Sequence, residues 1–239
     1  MQRWLTAALD LVYPRACAAC GAALDSRHDG HVCWDCLGEL QVVAAPLCRW
    51  CGDPAAGEVG VEYTCSWCVR TEPAFDRARS AVRFRAGVRP VIHALKYGQA
   101  AGLAADLMPL LEACVRTHYA RVEFDGVAAV PLHHRRERER SYNQSALLAR
   151  RMARRLRVPC FDACVRRVRA TPSQTNLNAQ ERKANVRDAF AVAHPEWLEG
   201  RTLLLVDDVM TTGATVHECA RTLKGAGAAA VYVATVARG

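Results

Sequence analysis

Several absences narrow the sequence before any motif is read. No apolar run approaches the roughly 20 residues needed to cross a bilayer, so no membrane insertion is expected. The N-terminal MQRWLTAALDLVYP is a poor secretory signal, because its apolar part is short and Asp10 interrupts it. Its Trp4, Leu5, Ala8, Leu9 and Val12 fall at helical spacing, which predicts a short amphipathic helix packed on the body and makes a cytoplasmic location the expectation. There is no G-x-x-x-x-G-K-[ST], so a Walker-type nucleotide loop is excluded. Aromatic residues make up only 7% of the chain and few stand beside its basic stretches, which weakens a base-stacking platform. His133 and His134 lack any metal-ligand spacing and read as structural.

The 239 residues are 51% hydrophobic and 23% charged, enough for one medium domain plus a small one. Charge is divided unevenly. Residues 1–72 carry five Lys/Arg against nine Asp/Glu, whereas residues 73–239 carry 27 against 15. An acidic small module is thus joined to a basic body, and the body's excess suggests phosphate-bearing partners, whether nucleic acid or an anionic metabolite.

Eight of the twelve cysteines stand before residue 70 as four C-x-x-C pairs: Cys17/Cys20, Cys33/Cys36, Cys48/Cys51 and Cys65/Cys68, separated by 12, 11 and 13 residues. A tight C-x-x-C turn places two sulfurs on one side of a knuckle, and two knuckles complete a tetrahedral thiolate shell. Two structural zinc ions are therefore expected. A disulfide framework needs an oxidising compartment, and a redox C-x-x-C would use one pair, not four. Sequential pairing of the knuckles is simplest, and a cross-braced arrangement uses the same cysteines. A module of about 70 residues with few large apolar side chains needs such a metal, which contributes on the order of 10 kcal/mol to its folding. An all-cysteine shell leaves no open position for catalysis. Each zinc with four thiolates carries a formal charge of −2, so nucleic acid is expected on the basic body instead.

From about residue 77 the pattern changes to alternating strands and helices. ARSAVRF (78–84) alternates like a strand, GVRPVIHALKYG (87–98) reads as a helix beginning near Pro90 and ending at Gly98, and GVAAVPL (126–132) as a buried strand. LAADLMPLLEACVRTHY is helical, with Pro109 marking a kink or break. YNQSALLARRMARRLR (142–157) is a long basic helix, and Ser141 with Gln144 has capping-box spacing at its start. TLLLVDDV is a buried strand, ATVHECARTLKGAG a helix and AVYVATVA a final strand. Apolar strands alternating with helices predict an α/β fold, a mostly parallel Rossmann-like sheet with helices on both faces, preceded by the zinc module; the boundary is placed between residues 72 and 73.

In such sheets ligands sit beyond the carboxyl ends of the strands. LLLVDDVMTTGAT (203–215) occupies that place: a strand, then Asp207 and Asp208, then a small-residue loop running into a helix N-terminus. Backbone N–H groups there, with the hydroxyls of Thr211, Thr212 and Thr215, make an anion cradle, and Gly213 lets the chain approach a phosphate closely. The adjacent carboxylates suit vicinal hydroxyls and a cation.

This string resembles the 5-phosphoribosyl-1-pyrophosphate (PRPP) motif of type I phosphoribosyltransferases. By that resemblance Asp207 and Asp208 hold the ribose 2′ and 3′ hydroxyls, and Met210, Thr211, Thr212, Gly213, Ala214 and Thr215 wrap the 5′-phosphate. HALKYG (93–98), VPLH with RRERERSYNQ (130–144), and TPSQTNLNAQERKANVRDAF (171–190) are similar to segments of the ComF/GntX family, in which a cysteine-rich zinc module precedes a phosphoribosyltransferase-like domain. The family usually has glycine where this chain has Ser141. Transfer from PRPP releases pyrophosphate and builds positive charge on the ribose, so Mg²⁺ and cationic side chains are expected at the leaving group. Lys96, Tyr97 and Gly98 stand where this fold keeps its pyrophosphate loop. Arg135, Arg136, Arg138 and Arg140 are expected in a loop over the site, contacting pyrophosphate or nucleic acid. Arg182, Lys183 and Asn185, before the Phe190 segment, are expected to form a second basic wall. The sequence stops at Gly239, directly after AVYVATVAR, and a hood over the acceptor is expected from the N-terminal side.

Three functions stay open. The chain is an Mg²⁺-dependent transferase with catalytic residues Asp207, Asp208 and Lys96, a PRPP sensor without catalysis, or a DNA-handling protein. The last follows from the family's association with natural competence, which implies single-stranded DNA bound by the body and a competence-machinery protein as partners.

Overall fold

The computed structural model describes residues 15–25, 28–55, 57, 63–85, 87–169 and 186–239. The expected N-terminal helix, most of the 171–190 segment and the wall of Arg182, Lys183 and Asn185 lie outside these residues.

In the cysteine-rich module two short helices, α1 (Trp34–Gly38) and α2 (Ser66–Thr71), each begin directly after a cysteine. Cys33 and Cys65 are the N-caps, and Cys36 and Cys68 lie in the first turn, so each C-x-x-C folds both sulfurs to one side. The body follows as β1 (Arg77–Arg83), α3 (Val88–Tyr97), α4 (Leu103–His118), β2 (Gly126–Ala129), α5 (His134–Arg140), α6 (Gln144–Leu156), β3 (Val165–Arg167), β4 (Phe190–Val192), β5 (Thr202–Met210), α7 (Ala214–Gly225) and β6 (Ala230–Arg238).

The main sheet has the order β1-β6-β5-β2, with every pairing parallel. Alternate residues of β5 enter opposite layers: Leu204 and Val206 pack with α3, α4 and α6, while Leu203 and Leu205 pack with α7 and the antiparallel pair β3 and β4. Both faces are covered, as the uniformly apolar strands predict. The chain leaves β2 outward, through α6 to residues 159–161 beside Val127, and leaves β5 the other way, through α7 to β6. The carboxyl ends of β2 and β5 therefore flank a topological switch point, where α/β sheets open a crevice.

The module also closes the other sheet edge. Residues 41–43 pair antiparallel with β1, through Val43 N–H to the Ala81 carbonyl (2.9 Å) and Arg83 N–H to the Gln41 carbonyl (2.7 Å). Residues 78–82 of β1 are consequently all buried, rather than alternating.

Three local expectations are corrected. Helix α4 runs unbroken from Leu103 to His118 through Pro109. Pro109 and Ala105, whose carbonyl loses its helical partner, both lie on the exposed face, so that carbonyl is not left unpaired in the interior. The run Arg135–Arg140 is a helix, not a loop. His133 caps it, its Nδ1 accepting from Arg135 N–H, in keeping with the structural reading of that histidine. The cap of α6 is Asn143, whose side chain accepts from Ser145 N–H at 3.0 Å; Ser141 ends α5 instead, in the left-handed region at φ 67°. Among the described residues no helix is long and apolar enough to cross a membrane.

Candidate functional site

The eight paired cysteines gather as Cys17, Cys20, Cys33, Cys36 and as Cys48, Cys51, Cys65, Cys68, the sulfurs of each group lying within 4.8 Å of one another. Consecutive knuckles thus share a site, which selects sequential pairing over cross-bracing. Sulfurs bound about 2.3 Å from one tetrahedral zinc stand roughly 3.8 Å apart. The Cys20–Cys33 and Cys51–Cys65 sulfur separations, 3.8 and 3.5 Å, fit that shell. Backbone N–H groups of Ala19 and Cys33 point at Cys17 Sγ, and that of Cys65 at Cys48 Sγ, the donors a thiolate needs. The donor set is four sulfurs in each group, with no place left for a substrate.

At the switch point β5 runs on through both acids to Met210, so Asp207 and Asp208 lie within the strand's last residues, not beyond them. Both are buried. Asp207 Oδ1 accepts from Ser145 Oγ at 2.7 Å and from Asp208 N–H at 2.9 Å. Lys96 Nζ, from the last turn of α3, stands 3.0 Å from Asp208 Oδ2. Burial, followed by repulsion from Asp208, pushes the Asp207 carboxyl up to about 7, opposed by the Ser145 hydrogen bond and the Lys96 charge. Three elements meet here for local reasons. The Asn143 cap, held by Nδ2 to the Val130 carbonyl (3.1 Å), starts α6 directly above the end of β2 and so delivers Ser145. Tyr142 Oη donates to the Leu95 carbonyl (2.6 Å) and ties that turn to α3 beside Lys96.

Lys96 and Tyr97, with Gln99, Arg136, Glu139 and Arg140, line a small cavity of about 130 Å³ next to the dyad. Three cations against one carboxylate make it a candidate anion pocket. Arg140 is buried, donating to Gln144 Oε1 (3.1 Å) and Tyr97 Oη (3.2 Å), with its guanidinium 4.7 Å from the Tyr97 ring centre. Arg135 pairs with Glu139 at the surface and Arg138 is exposed, so the helix sends only Arg136 and Arg140 inward. Gly98 caps α3, its N–H on the Ala94 carbonyl.

After Met210 the loop Thr211, Thr212, Gly213 leads into α7, which begins with Ala214 and Thr215. Gly213 sits at φ +84°, a conformation that favours glycine. Thr212 Oγ1 faces Ala214 N–H at 3.4 Å.

Comparisons with known proteins match both parts of the chain. A double zinc ribbon domain profile matches residues 8–69, and a phosphoribosyl transferase domain profile matches residues 143–239. The DNA utilization protein YhgH of Escherichia coli (strain K12) is 34% identical over 226 residues, covering 93% of this chain and 96% of that protein. Competence protein F of Haemophilus influenzae is 30% identical, covering 86% and 96%. The chain belongs to the ComF family. Competence protein ComFC of Bacillus subtilis (strain 168) is a more distant member, 24% identical over 213 residues. As a ComF protein the chain has a phosphoribosyltransferase-type α/β domain and a double zinc ribbon with two four-cysteine groups of structural type.

Sequence reasoning missed Ser145, Trp67, Arg79 and Arg238. Trp67, inside C-S-W-C, carried the only signal, an aromatic between two ligand cysteines. Arg79 is buried in β1, donating to the carbonyls of Ala78 (2.7 Å), Arg49 (3.3 Å) and Cys48 (3.4 Å), and so fastens the second ribbon to the sheet.

Proposed function

We propose that this ComF protein binds PRPP in the crevice between the ends of β2 and β5 and transfers its phosphoribosyl group to an acceptor. The observation that carries the reading is the buried pair Asp207 and Asp208, poised between Ser145 and Lys96 and followed by the Gly213 turn into α7. The pair accepts from the ribose 2′ and 3′ hydroxyls. Met210–Thr215 receives the 5′-phosphate, through backbone N–H groups and the threonine hydroxyls at the start of α7. Lys96 swings from Asp208 to the pyrophosphate, which lies in the basic cavity toward Arg136 and Arg140. In the transfer the C1′–oxygen bond breaks, its electron pair leaves with pyrophosphate, and the acceptor's lone pair forms the new bond to C1′. The carboxylates of Asp207 and Asp208 would help to hold an Mg²⁺ ion accompanying PRPP, which would supply charge neutralisation at the leaving pyrophosphate. The chain is read as a ribbon module, 1–72, and a transferase body, 73–239, working in the cytoplasm.

Pyrophosphate release from PRPP and Mg²⁺ tests catalysis. Slow release that an added nucleophilic acceptor accelerates supports a transferase, and binding without release under any acceptor reduces the site to a sensor.

A second reading has its own support. Relatives are named for DNA utilization and for competence, and the body carries the chain's basic excess. Single-stranded DNA along the arginine-rich face of α6, with a protein of the competence machinery nearby, is compatible with PRPP in the crevice.

A further inference from the structure

Both ends of the loop between β5 and α7 are held by the second cysteine group, one knuckle at each end. We infer that this ribbon sets the shape of the phosphate loop, with Asp53, Arg238 and Trp67 as positioning residues. The inference rests on the reading of Met210–Thr215 as a phosphate-binding loop.

At the strand end, the Met210 carbonyl accepts from Gly239 N–H (3.0 Å) and from Arg238 Nη1 (3.1 Å). Arg238 is buried, and its Nη2 pairs with Asp53 Oδ1 at 2.9 Å. Asp53 belongs to the first knuckle: its own carbonyl accepts from Cys48 N–H (2.8 Å) and from Tyr63 Oη (2.6 Å). A chain of polar contacts therefore runs from the Cys48/Cys51 turn to the residue where the loop begins.

At the helix end the contact is apolar. Trp67, between Cys65 and Cys68, lays its ring against Gly213, so that a Cβ added there would stand 3.2 Å from the Trp67 ring. The same ring meets His217 edge-on at 6.4 Å, one turn into α7, and stacks on the buried Phe75 at 6.5 Å. His217 Nδ1 in turn accepts from Ala74 N–H. The glycine thus serves two approaches, the tryptophan on one side and a ligand on the other.

A metal joining Cys48, Cys51, Cys65 and Cys68 fixes the separation of the two knuckles, and hence of the two ends of the loop. A short loop held this way is ordered before its ligand arrives, which removes an entropic cost from binding. Folding alone requires only that the ribbon form; it does not require either knuckle to touch this loop.

Amide hydrogen exchange on the full-length, zinc-loaded protein tests the inference without any ligand. In Trp67→Ala, exchange of the loop peptide spanning 210–217 is expected to quicken on the order of tenfold, because local opening costs less once the ring no longer packs there. Exchange in β2 and α4 stays at the wild-type rate, zinc stays at two per chain, and Trp67→Phe restores most of the protection. Asp53→Asn, outside both metal shells, gives a smaller change of the same kind, and PRPP affinity falls in step in each variant. Unchanged loop exchange in both variants would overturn the inference, as would a quickening spread equally over β2 and α4. The two readings fail separately. If loop exchange responds but the wild type does not bind PRPP, the grip stands and the ligand assignment falls. If PRPP binds wild type and variants alike with loop exchange unchanged, the reverse holds.

Discussion

Asp207 carries the strongest electrostatic tension in the crevice. Its carboxyl is buried beside a second carboxylate, and Ser145 and Lys96 compensate only in part, so it titrates near 7 instead of at the ordinary carboxylate value of 3.8. Its pKa is raised in the folded state, so its contribution to stability is fully present below the unfolded value and is lost as pH rises through about 7. The ionised form is the stronger acceptor for ribose hydroxyls, with both oxygens free to accept. PRPP affinity is therefore expected to rise with pH toward about 7 and to level off above it. Calorimetric titration between mildly acidic and mildly alkaline pH checks this, and a profile equally steep in Asp207→Asn would assign the titration to another group. That Asp207 and Asp208 end an apolar strand was legible from LLLVDD. A lysine in the last turn of a helix is ordinary, and Lys96 drew notice only through the likeness of HALKYG to a family segment. Ser145 was not legible, since a serine in the first turn of a helix is ordinary and its partner lies 62 residues away.

Among the elements, every strand and helix of the body with a strong apolar period was legible, and the parallel order followed from uniformly apolar strands. The exceptions have physical causes. Arg135–Arg140 was expected as a loop, yet a histidine cap and the alternation of outward Arg135 and Arg138 with inward Arg136 and Arg140 make it a helix that lines the basic cavity. Ser141 was expected to open α6 and instead ends α5 in the left-handed region. Helix α6 is where DNA binding can be tested. Arg150 is held by Asp162 and Arg155 by Glu112, which leaves Arg151 and Arg154 to carry the larger share. Neutralising all four should weaken single-stranded DNA binding and reduce the slope of log affinity against log salt by roughly 0.7 for each phosphate no longer neutralised. Fluorescence anisotropy across a salt series measures it; an unchanged slope removes α6 from the interface.

At the scale of the whole molecule, ribbon and body are interlocked. Residues 41–43 cover the β1 edge, and the carbonyls around Cys48 hold the buried Arg79 guanidinium. None of this was legible, because the four C-x-x-C pairs declare a metal-bound module but say nothing of what it leans on. Removing zinc should consequently do more than unfold the ribbon. It should uncover a sheet edge and take from Arg79 the Arg49 and Cys48 carbonyls, leaving it the Ala78 carbonyl of its own strand. Stripping with a thiol-reactive agent and chelator is expected to release two zinc ions per chain and to lower the melting temperature of the body itself by about 10 °C or more. A body that melts at the same temperature after both ions have left would show that the two parts are independent.

The most direct test of the central assignment is calorimetric titration with PRPP and Mg²⁺ of the wild type and of the double variant Asp207→Asn, Asp208→Asn. The wild type is expected to bind one PRPP per chain and the variant none, with zinc content identical in both. Binding retained by the double variant would contradict the account and place the ligand elsewhere than the crevice between β2 and β5.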